Sequence, residues 1–356
     1  MTGKQELSAY RLTAMMLMGR IFAAMTYFPA GYEGPGTLMA GTLLSALFQG
    51  LLMIPAAVLY RRGGREVSRG AAALYLIYFC YEMFMDIGGY VYFSDFLFGG
   101  EVRRTAVLGA LVLSALFLAA MDTAVLGKAA GTVLIGMAAA LLIIGAGAAR
   151  KAYWVNIDFA AADPAGAVLR AAAAETARCE CLVLYAFLLP RTSLSRRNSP
   201  GRTAAGFLAA KAVVLETVFF LTAAVLGRYF YHTKLPVFSA ASYSGGRVIQ
   251  RFDGLFLLIW CAAAIVKLGV LGACARDCIM ILRPSAERNR AAALALLPCA
   301  VGAAVPVLRY RWESVVYGEP AALVFAAVVI LTAGVPAAVL AGRALRRRTV
   351  SKGVRA

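Results

Sequence analysis

Eight ionisable side chains stand inside stretches of sequence that are otherwise apolar. They are Arg20, Glu82, Asp86, Arg178, Glu180, Lys211, Glu216 and Lys267. Four are basic and four are acidic. An unpaired charge at the centre of a bilayer costs roughly 2.5–3.5 kcal/mol, so the equal numbers predict ion pairs inside a helical bundle. The other role for such residues is to bind a cation, a proton or a charged metabolite.

Glu82 and Asp86 are four residues apart, which places both carboxylates on one helical face together with Tyr78. Two carboxylates that close repel each other unless a cation lies between them. The pair therefore predicts a site for a cation, a proton or a substrate amine. A buried bridge to Arg20, Arg178 or a lysine would account for the same spacing, and the sequence leaves both interpretations open.

Arg178 and Glu180 are two residues apart and point to different faces of a continuous helix, so each needs its own partner. Arg178 or Arg20 would suit a ligand carboxylate through a bidentate contact, and Glu180 would suit an ammonium group. Two structural pairs to neighbouring helices are the alternative. Lys267, near the middle of its apolar run, could serve as an internal cation in place of bound sodium.

The composition of the chain indicates that these residues lie in a membrane protein. The chain has 356 residues, 62% hydrophobic and 15% charged, with a mean hydropathy of +0.75, whereas soluble domains have about 45–50% apolar and 25% charged residues. A soluble enzyme is excluded, and an all-α polytopic membrane protein is predicted. Ten runs of about 20 residues are long enough to cross a bilayer. They lie at about residues 12–31, 37–60, 71–93, 104–126, 128–150, 171–190, 203–230, 253–282, 291–308 and 320–342.

The residue types do not indicate an enzyme active site or a metal site. The single histidine, His232, lies in a connection, and the seven cysteines lie in apolar segments without a histidine at ligand spacing. Neither a disulfide framework nor a zinc site is expected. We therefore predict no enzyme activity, no cofactor and no metal.

The charge distribution predicts the orientation. The net charge is +18, and the Lys and Arg clusters fall in alternate connections and in the tail 343–356. This is the positive-inside pattern, so both termini are predicted to be cytoplasmic and the basic tail is an orientation signal, not a nucleic-acid site. Aromatic residues at the end of the third run are typical of an interfacial belt. They are Tyr90, Tyr92, Phe93, Phe96 and Phe98.

Five runs precede residue 150 and five follow residue 170, which suggests one domain made of two repeats, about 12–150 and 171–342. Because five is odd, the second repeat would enter the membrane from the opposite face, as in many secondary transporters. The first helix of each half is usually broken in that architecture. Gly19-Arg20 and Arg178-Cys179-Glu180 lie at similar depths, although the sixth run has no glycine at that point.

The stretch IQRFDGLFLLIWCAAAIVKLGVLG, from Ile249, resembles the eighth span of the permease-like B subunit of spore germinant receptors. Arg251, Phe252, Asp253, Trp260 and Lys267 carry the resemblance. LYAFLLPR at 184–191 is similar to the end of that family's sixth span, and the length, the ten runs and the basic tail also agree. The chain differs from the family at Arg20 in the first run and at Glu180, which stands one turn before the family's acid.

The family is a branch of the amino acid/polyamine/organocation transporter superfamily. The resemblance implies an inverted five-plus-five bundle and a small amino-acid-like ligand near helices one, three, six and eight. The candidate ligand-binding residues are Gly19, Arg20, Tyr78, Glu82, Asp86, Arg178, Glu180, Trp260 and Lys267. The resemblance also implies A-type and C-type receptor subunits as partners, besides membrane lipid, and a location in the spore inner membrane.

Three functions remain open from the sequence. The chain could be a sensor that passes ligand occupancy to partner subunits, or a proton-coupled amino acid transporter of the plasma membrane. It could also be a membrane scaffold whose buried charges are only structural. Sensing and transport need the same pocket and differ in whether both gates open.

Overall fold

Long helices make up most of the chain in the computed structural model, which describes residues 7–26, 34–64, 66–157, 164–194, 199–245, 252–317 and 321–353. The helices of the first half are α1 (Ala9–Thr26), α2 (Pro35–Arg61), α3 (Arg69–Leu97), α4 (Arg104–Ala119) and α5 (Thr123–Ala149). The second half contains α6 (Pro164–Ala177), α7 (Glu180–Leu188), α8 (Pro200–Leu226), α9 (Pro236–Tyr243), α10 (Asp253–Leu282), α11 (Arg288–Leu308), α12 (Trp312–Tyr317), α13 (Ala321–Val329) and α14 (Val335–Gly353). Two short strands, β1 (Leu7–Ser8) and β2 (Thr192–Ser193), pair in parallel.

Seven helical segments among the described residues are long and apolar enough to cross a bilayer. They are α2, α3, α5, α8 with the turn after it, α10, α11, and the segment that contains α13 and α14. The chain is therefore an integral membrane protein of the all-α polytopic class, as the composition predicts.

The first, fourth and sixth predicted spans depart from a plain apolar helix of spanning length. α1 carries Arg11 and Arg20 among its 18 residues, and α4 is apolar but has only 16 residues. The fourth run, predicted to reach residue 126, ends early because the helix stops at Ala119 and a new helix starts at Thr123. Ten membrane crossings thus remain a prediction.

The sixth run is broken into α6 and α7. The chain forms a turn at Arg178, and Cys179 takes non-helical dihedrals of φ −96° and ψ 70°. In a continuous helix, residues two apart would point to different faces. The break lets Arg178 and Glu180 face one cavity, so the expectation of separate faces for these two residues is wrong. α1, in contrast, is helical through Gly19 and Arg20, so no unwound turn occurs there.

α3 and α10 pack against each other at the centre of the bundle, and α1 lies against α10. β1 and β2 tie the beginning of α1 to the end of α7, and we call this end of the bundle the strand end. Arg276 of α10 lies at the strand end. Its Nη1 donates hydrogen bonds to the carbonyl oxygens of Ala119 at 2.6 Å and Met121 at 2.7 Å. These bonds satisfy carbonyl groups at the carboxyl end of α4.

Candidate functional site

The first of two buried ionic clusters centres on Lys267 of α10. Its Nζ lies 2.9 Å from Asp86 Oδ1 of α3 and 3.2 Å from Glu180 Oε1 at the start of α7. All three side chains are buried. We call Lys267, Asp86 and Glu180 the Lys267 cluster. One ammonium group thus holds two carboxylates from different helices, and its Nζ also lies 5.4 Å from the centre of the Phe22 ring.

The second cluster centres on Glu175 of α6. Arg20 Nε donates to Glu175 Oε1 at 3.0 Å, and Arg20 Nη2 donates to Oε2, which makes the contact bidentate. Lys211 Nζ of α8 lies 3.1 Å from Glu175 Oε1 and 2.6 Å from Gln49 Oε1 of α2. We call these four residues the Glu175 cluster. It joins α1, α2, α6 and α8 through groups that are all buried.

A small cavity lies between the two clusters. It is lined by Arg20, Ala23, Tyr81, Glu82, Met85, Asp86, Ala177, Arg178, Glu180, Lys267 and Val324. It offers about 60 Å³ to the centres of water molecules, whereas a single water needs roughly 10–15 Å³. The cavity therefore has room for a few waters or for the ionic groups of a small ligand.

Glu82 and Arg178 are the two charged residues of this cavity that belong to neither cluster. Neither forms a salt bridge with another described residue, since the ammonium of Lys267 contacts Asp86 and Glu180, and Arg20 contacts Glu175. Nη1 of Arg178 is buried and finds no hydrogen-bond partner within the described ranges. Tyr78, one turn before Glu82, brings its buried hydroxyl near this carboxyl without reaching hydrogen-bond geometry. The cavity thus presents one uncommitted acid and one uncommitted guanidinium.

Gly19 of α1 allows the close approach of Glu180. A Cβ atom at position 19 would lie 3.2 Å from Glu180 Oε1 and 3.9 Å from Lys267 Cγ. A contact at 3.2 Å is tighter than ordinary van der Waals packing, so a Cβ at this position would push the Glu180 carboxylate by a few tenths of an ångström. Gly19 therefore acts through its lack of a side chain and not by unwinding α1.

Trp260 packs above the cavity, toward the end opposite the strand end. Its Nε1 donates to Thr26 Oγ1 at 2.8 Å, and its ring stacks on Tyr90 with centroids 4.3 Å apart. Phe22 packs on the other side at 6.0 Å. Tyr90 and Phe93 are buried in this region, so their assignment to an interfacial belt is wrong. The Phe22 ring also lies near the Lys267 ammonium, so this aromatic group packs next to the lining of the cavity.

Polar contacts at the surface join the connections at the same end. Lys234 and Tyr92 both donate to Glu313 of α12, and Lys234 Nζ also lies 3.0 Å from the Tyr92 hydroxyl. Hydrogen bonds from Lys234 and Tyr92 lower the pKa of the Glu313 carboxyl, while the bond to Glu313 raises the pKa of Lys234. All of these groups are half-exposed or at the surface, so they contribute little to stability.

Toward the strand end, α7 begins at Glu180 in the cavity wall, and its nine residues are all buried. Cys181 Sγ contacts the carbonyl oxygen of Met16 at 2.8 Å, and Phe187 packs on Tyr75 and Phe79. Further out, Arg191 forms an ion pair with Asp277 of α10.

The structure brings most of the predicted site residues together. Arg20, Glu82, Asp86, Arg178, Glu180 and Lys267 line the cavity, and Gly19 and Tyr78 lie directly behind it. Trp260 packs above it. Arg251 and the rest of 246–251 lie outside the described residues. Whether these side chains bind a ligand stays a prediction.

Sequence reasoning missed two members of the Glu175 cluster. Glu175 lies inside the predicted sixth run, three residues before Arg178, and could have been counted with the other intramembrane charges. Gln49 carries no charge, and its only signal is a polar face on α2 shared with Thr42 and Ser45 at helical spacing. Both residues are fully or almost fully buried.

Within the described ranges, no three His, Cys, Asp or Glu side chains are grouped so that they could hold a metal ion. The carboxylates that face each other across the Lys267 cluster already share the ammonium group.

Comparison with known proteins leaves the site geometry as the main guide to function: no family model matches the chain, and no curated protein is significantly similar to it.

Proposed function

We propose that the cavity binds a small amino-acid-like zwitterion, and that the chain is the permease-like subunit of a nutrient germinant receptor. The observation that carries the ligand class is the pair of uncommitted charges. Glu82 would accept hydrogen bonds from the ligand ammonium, and Arg178 would contact its carboxylate. Binding both ends of a zwitterion would compensate both charges at once, which an ion of one sign would not do.

The packing of helices supports an inverted five-plus-five architecture. α4 packs on α10 as α11 packs on α3, and α2 packs on α6 as α8 packs on α1. α1 contacts α5 as α6 contacts α13. Exchanging each predicted span with the one five places later therefore maps these contacts onto each other. Such repeats place the substrate site at their interface, near the middle of the membrane.

The broken sixth span adds to this support. In inverted-repeat transporters, interrupted helices expose backbone groups and helix ends to the ligand. α7 begins at Glu180, which lines the cavity, so the N–H groups at the start of this helix lie close to the site. These groups favour a negative charge, as a ligand carboxylate beside Arg178 would provide.

The receptor role and the spore inner membrane rest on the sequence resemblance around Trp260 and Lys267. The partners proposed on that basis are an A-type membrane subunit and a C-type lipoprotein. The orientation with both termini in the cytoplasm rests on the distribution of basic residues.

Binding and uptake by the purified full-length chain test this proposal. We expect labelled amino acids to bind to the chain in lipid nanodiscs without crossing the membrane of proteoliposomes. Glu82→Gln and Arg178→Gln should each weaken binding by about tenfold or more, while the controls Glu216→Gln and Arg309→Gln should leave it unchanged. Uptake driven by a proton gradient would identify the transporter instead. The absence of any amino acid binding would contradict the ligand class itself.

A further inference from the structure

An apolar groove lies beside the ionic cavity, between α3 and the segment that contains α13. Its volume is about 430 Å³. Its walls include Leu74, Ile77 and Tyr78 on one side and Leu323, Ala327 and Ile330 on the other. Ile77 is 69% exposed and Leu323 is 68% exposed. Because both lie in predicted membrane spans, the groove opens toward the acyl chains of the bilayer.

The groove and the cavity are neighbours that share walls. Tyr81 and Val324 line both of them. The Tyr78 ring lines the groove, while its buried hydroxyl lies near Glu82 of the cavity. An apolar surface and an ionic site are thus separated only by a few side chains.

Because the cavity is small, a ligand with a long side chain would need additional space, and the groove lies beside the cavity. About 60 Å³ for the centres of water molecules accommodates ionic groups but not a long side chain. Tyr81 and Val324 are the lining residues that the cavity shares with the groove. A further part of the ligand would therefore extend on their side, into the groove.

We propose that the groove receives the apolar chain of the ligand whose ammonium and carboxylate bind in the cavity, so that the ligand is an amphiphilic amino acid. This inference rests on the proposed zwitterion site and adds the class of its side chain. The charges of Glu82 and Arg178 match the ionic head, and the groove matches a hydrocarbon chain, which gains free energy with each methylene that leaves water.

The test measures binding to the full-length chain in nanodiscs with three probes: glycine, 2-aminooctanoic acid and octanoic acid. Ala327→Trp fills the groove, and Ala326→Trp places the same side chain at an exposed position of the same helix, outside the groove. Ala327→Leu, a smaller change, should give a graded effect. The Ala326→Trp control and a thermal unfolding curve for each variant separate filling of the groove from misfolding.

We expect Ala327→Trp to weaken the binding of 2-aminooctanoic acid by about tenfold or more, because excluding two methylene groups is worth that much. Glycine binding should stay within about twofold of the wild type, and Ala326→Trp should change neither probe. Equal weakening of both amino acids, or no effect of Ala327→Trp, would overturn the inference. So would octanoic acid binding as tightly as 2-aminooctanoic acid, since the groove would then be a lipid-chain site. If the wild type binds neither amino acid, the proposed function fails first and the inference fails with it.

Discussion

Lys267 compensates the charges of two buried carboxylates. Removing its ammonium group should therefore lower the free energy of unfolding more than removing either acid. Lys267→Met leaves both Asp86 and Glu180 without their cation, and removing one partner of a buried ion pair costs about 3–5 kcal/mol. Asp86→Asn leaves Lys267 paired with Glu180 and should cost less. Thermal unfolding of the purified variants in detergent measures this order.

Lys234→Met is the matched control for this substitution. Lys234 forms a similar pair with Glu313, but both side chains are about half exposed, so the change should cost at most about 1 kcal/mol. A loss for Lys267→Met no larger than that for Asp86→Asn would contradict the shared role of the ammonium group.

Neutral substitutions of Glu175 and Glu216, the two acids near Lys211, should affect the free energy of unfolding differently. Glu175→Gln leaves Arg20 and Lys211 as buried cations without a carboxylate, so we expect a loss of about 3–5 kcal/mol and a lower protein level. Glu216 has a buried Oε1 without a hydrogen-bond partner among the described residues. Glu216→Gln removes an uncompensated charge and should be neutral or stabilising. Unfolding temperatures of both variants provide the measurement, and a larger loss for Glu216→Gln would refute the assignment.

At the scale of helices, the contact between α2 and α6 depends on Gly41. A Cβ atom at position 41 would lie 2.4 Å from Ala171 Cβ and 3.1 Å from backbone atoms, so Gly41→Ala forces the helices apart. Such overpacking typically costs about 1–3 kcal/mol. Gly206→Ala is the control, because its Cβ would meet nothing within 4 Å. There we expect a gain of up to about 1 kcal/mol from helix propensity. If both variants shift the unfolding temperature in the same direction, the proposed close contact is wrong.

Helix positions were predictable where apolar residues run between charges or glycines. The eighth run was predicted at 253–282, and α10 spans Asp253–Leu282. The second run, predicted at 37–60, corresponds to Pro35–Arg61. Hydropathy alone determines such boundaries because a spanning helix must bury its backbone polar groups in its own hydrogen bonds.

The break in the sixth run was less predictable, because no glycine or proline marks it. Its physical reason is tertiary: Glu180 reaches Lys267 on α10 and Glu175 reaches Arg20 on α1, and a continuous helix would not place all of these groups correctly. For the same reason, the sequence identified the charged residues but left their partners open. Partner choice depends on how α1, α3, α6, α7 and α10 pack.

At the scale of the whole molecule, we expect an even number of membrane crossings with both termini in the cytoplasm. The pairing of β1 with β2 places residue 7 and residue 192 at the same end of the bundle, as the six predicted crossings between them require. A fluorescent reporter fused after residue 356 should be cytoplasmic. A periplasmic-type phosphatase reporter inserted at residue 156, between α5 and α6, should be active. An inactive phosphatase at residue 156, or a fluorescent reporter after residue 356 that lies outside the cytoplasm, would contradict this topology.

The most direct test of the central claim compares three forms of one amino acid on the purified chain in nanodiscs: the free zwitterion, its methyl ester and its N-acetyl derivative. The wild type should bind the zwitterion at least tenfold better than either derivative, as expected for buried ionic contacts worth about 1.5–3 kcal/mol each. Arg178→Gln should erase the preference over the ester, and Glu82→Gln should erase the preference over the N-acetyl form. Equal binding of all three compounds by the wild type, or loss of the wrong preference in either variant, would contradict a zwitterion held between Glu82 and Arg178.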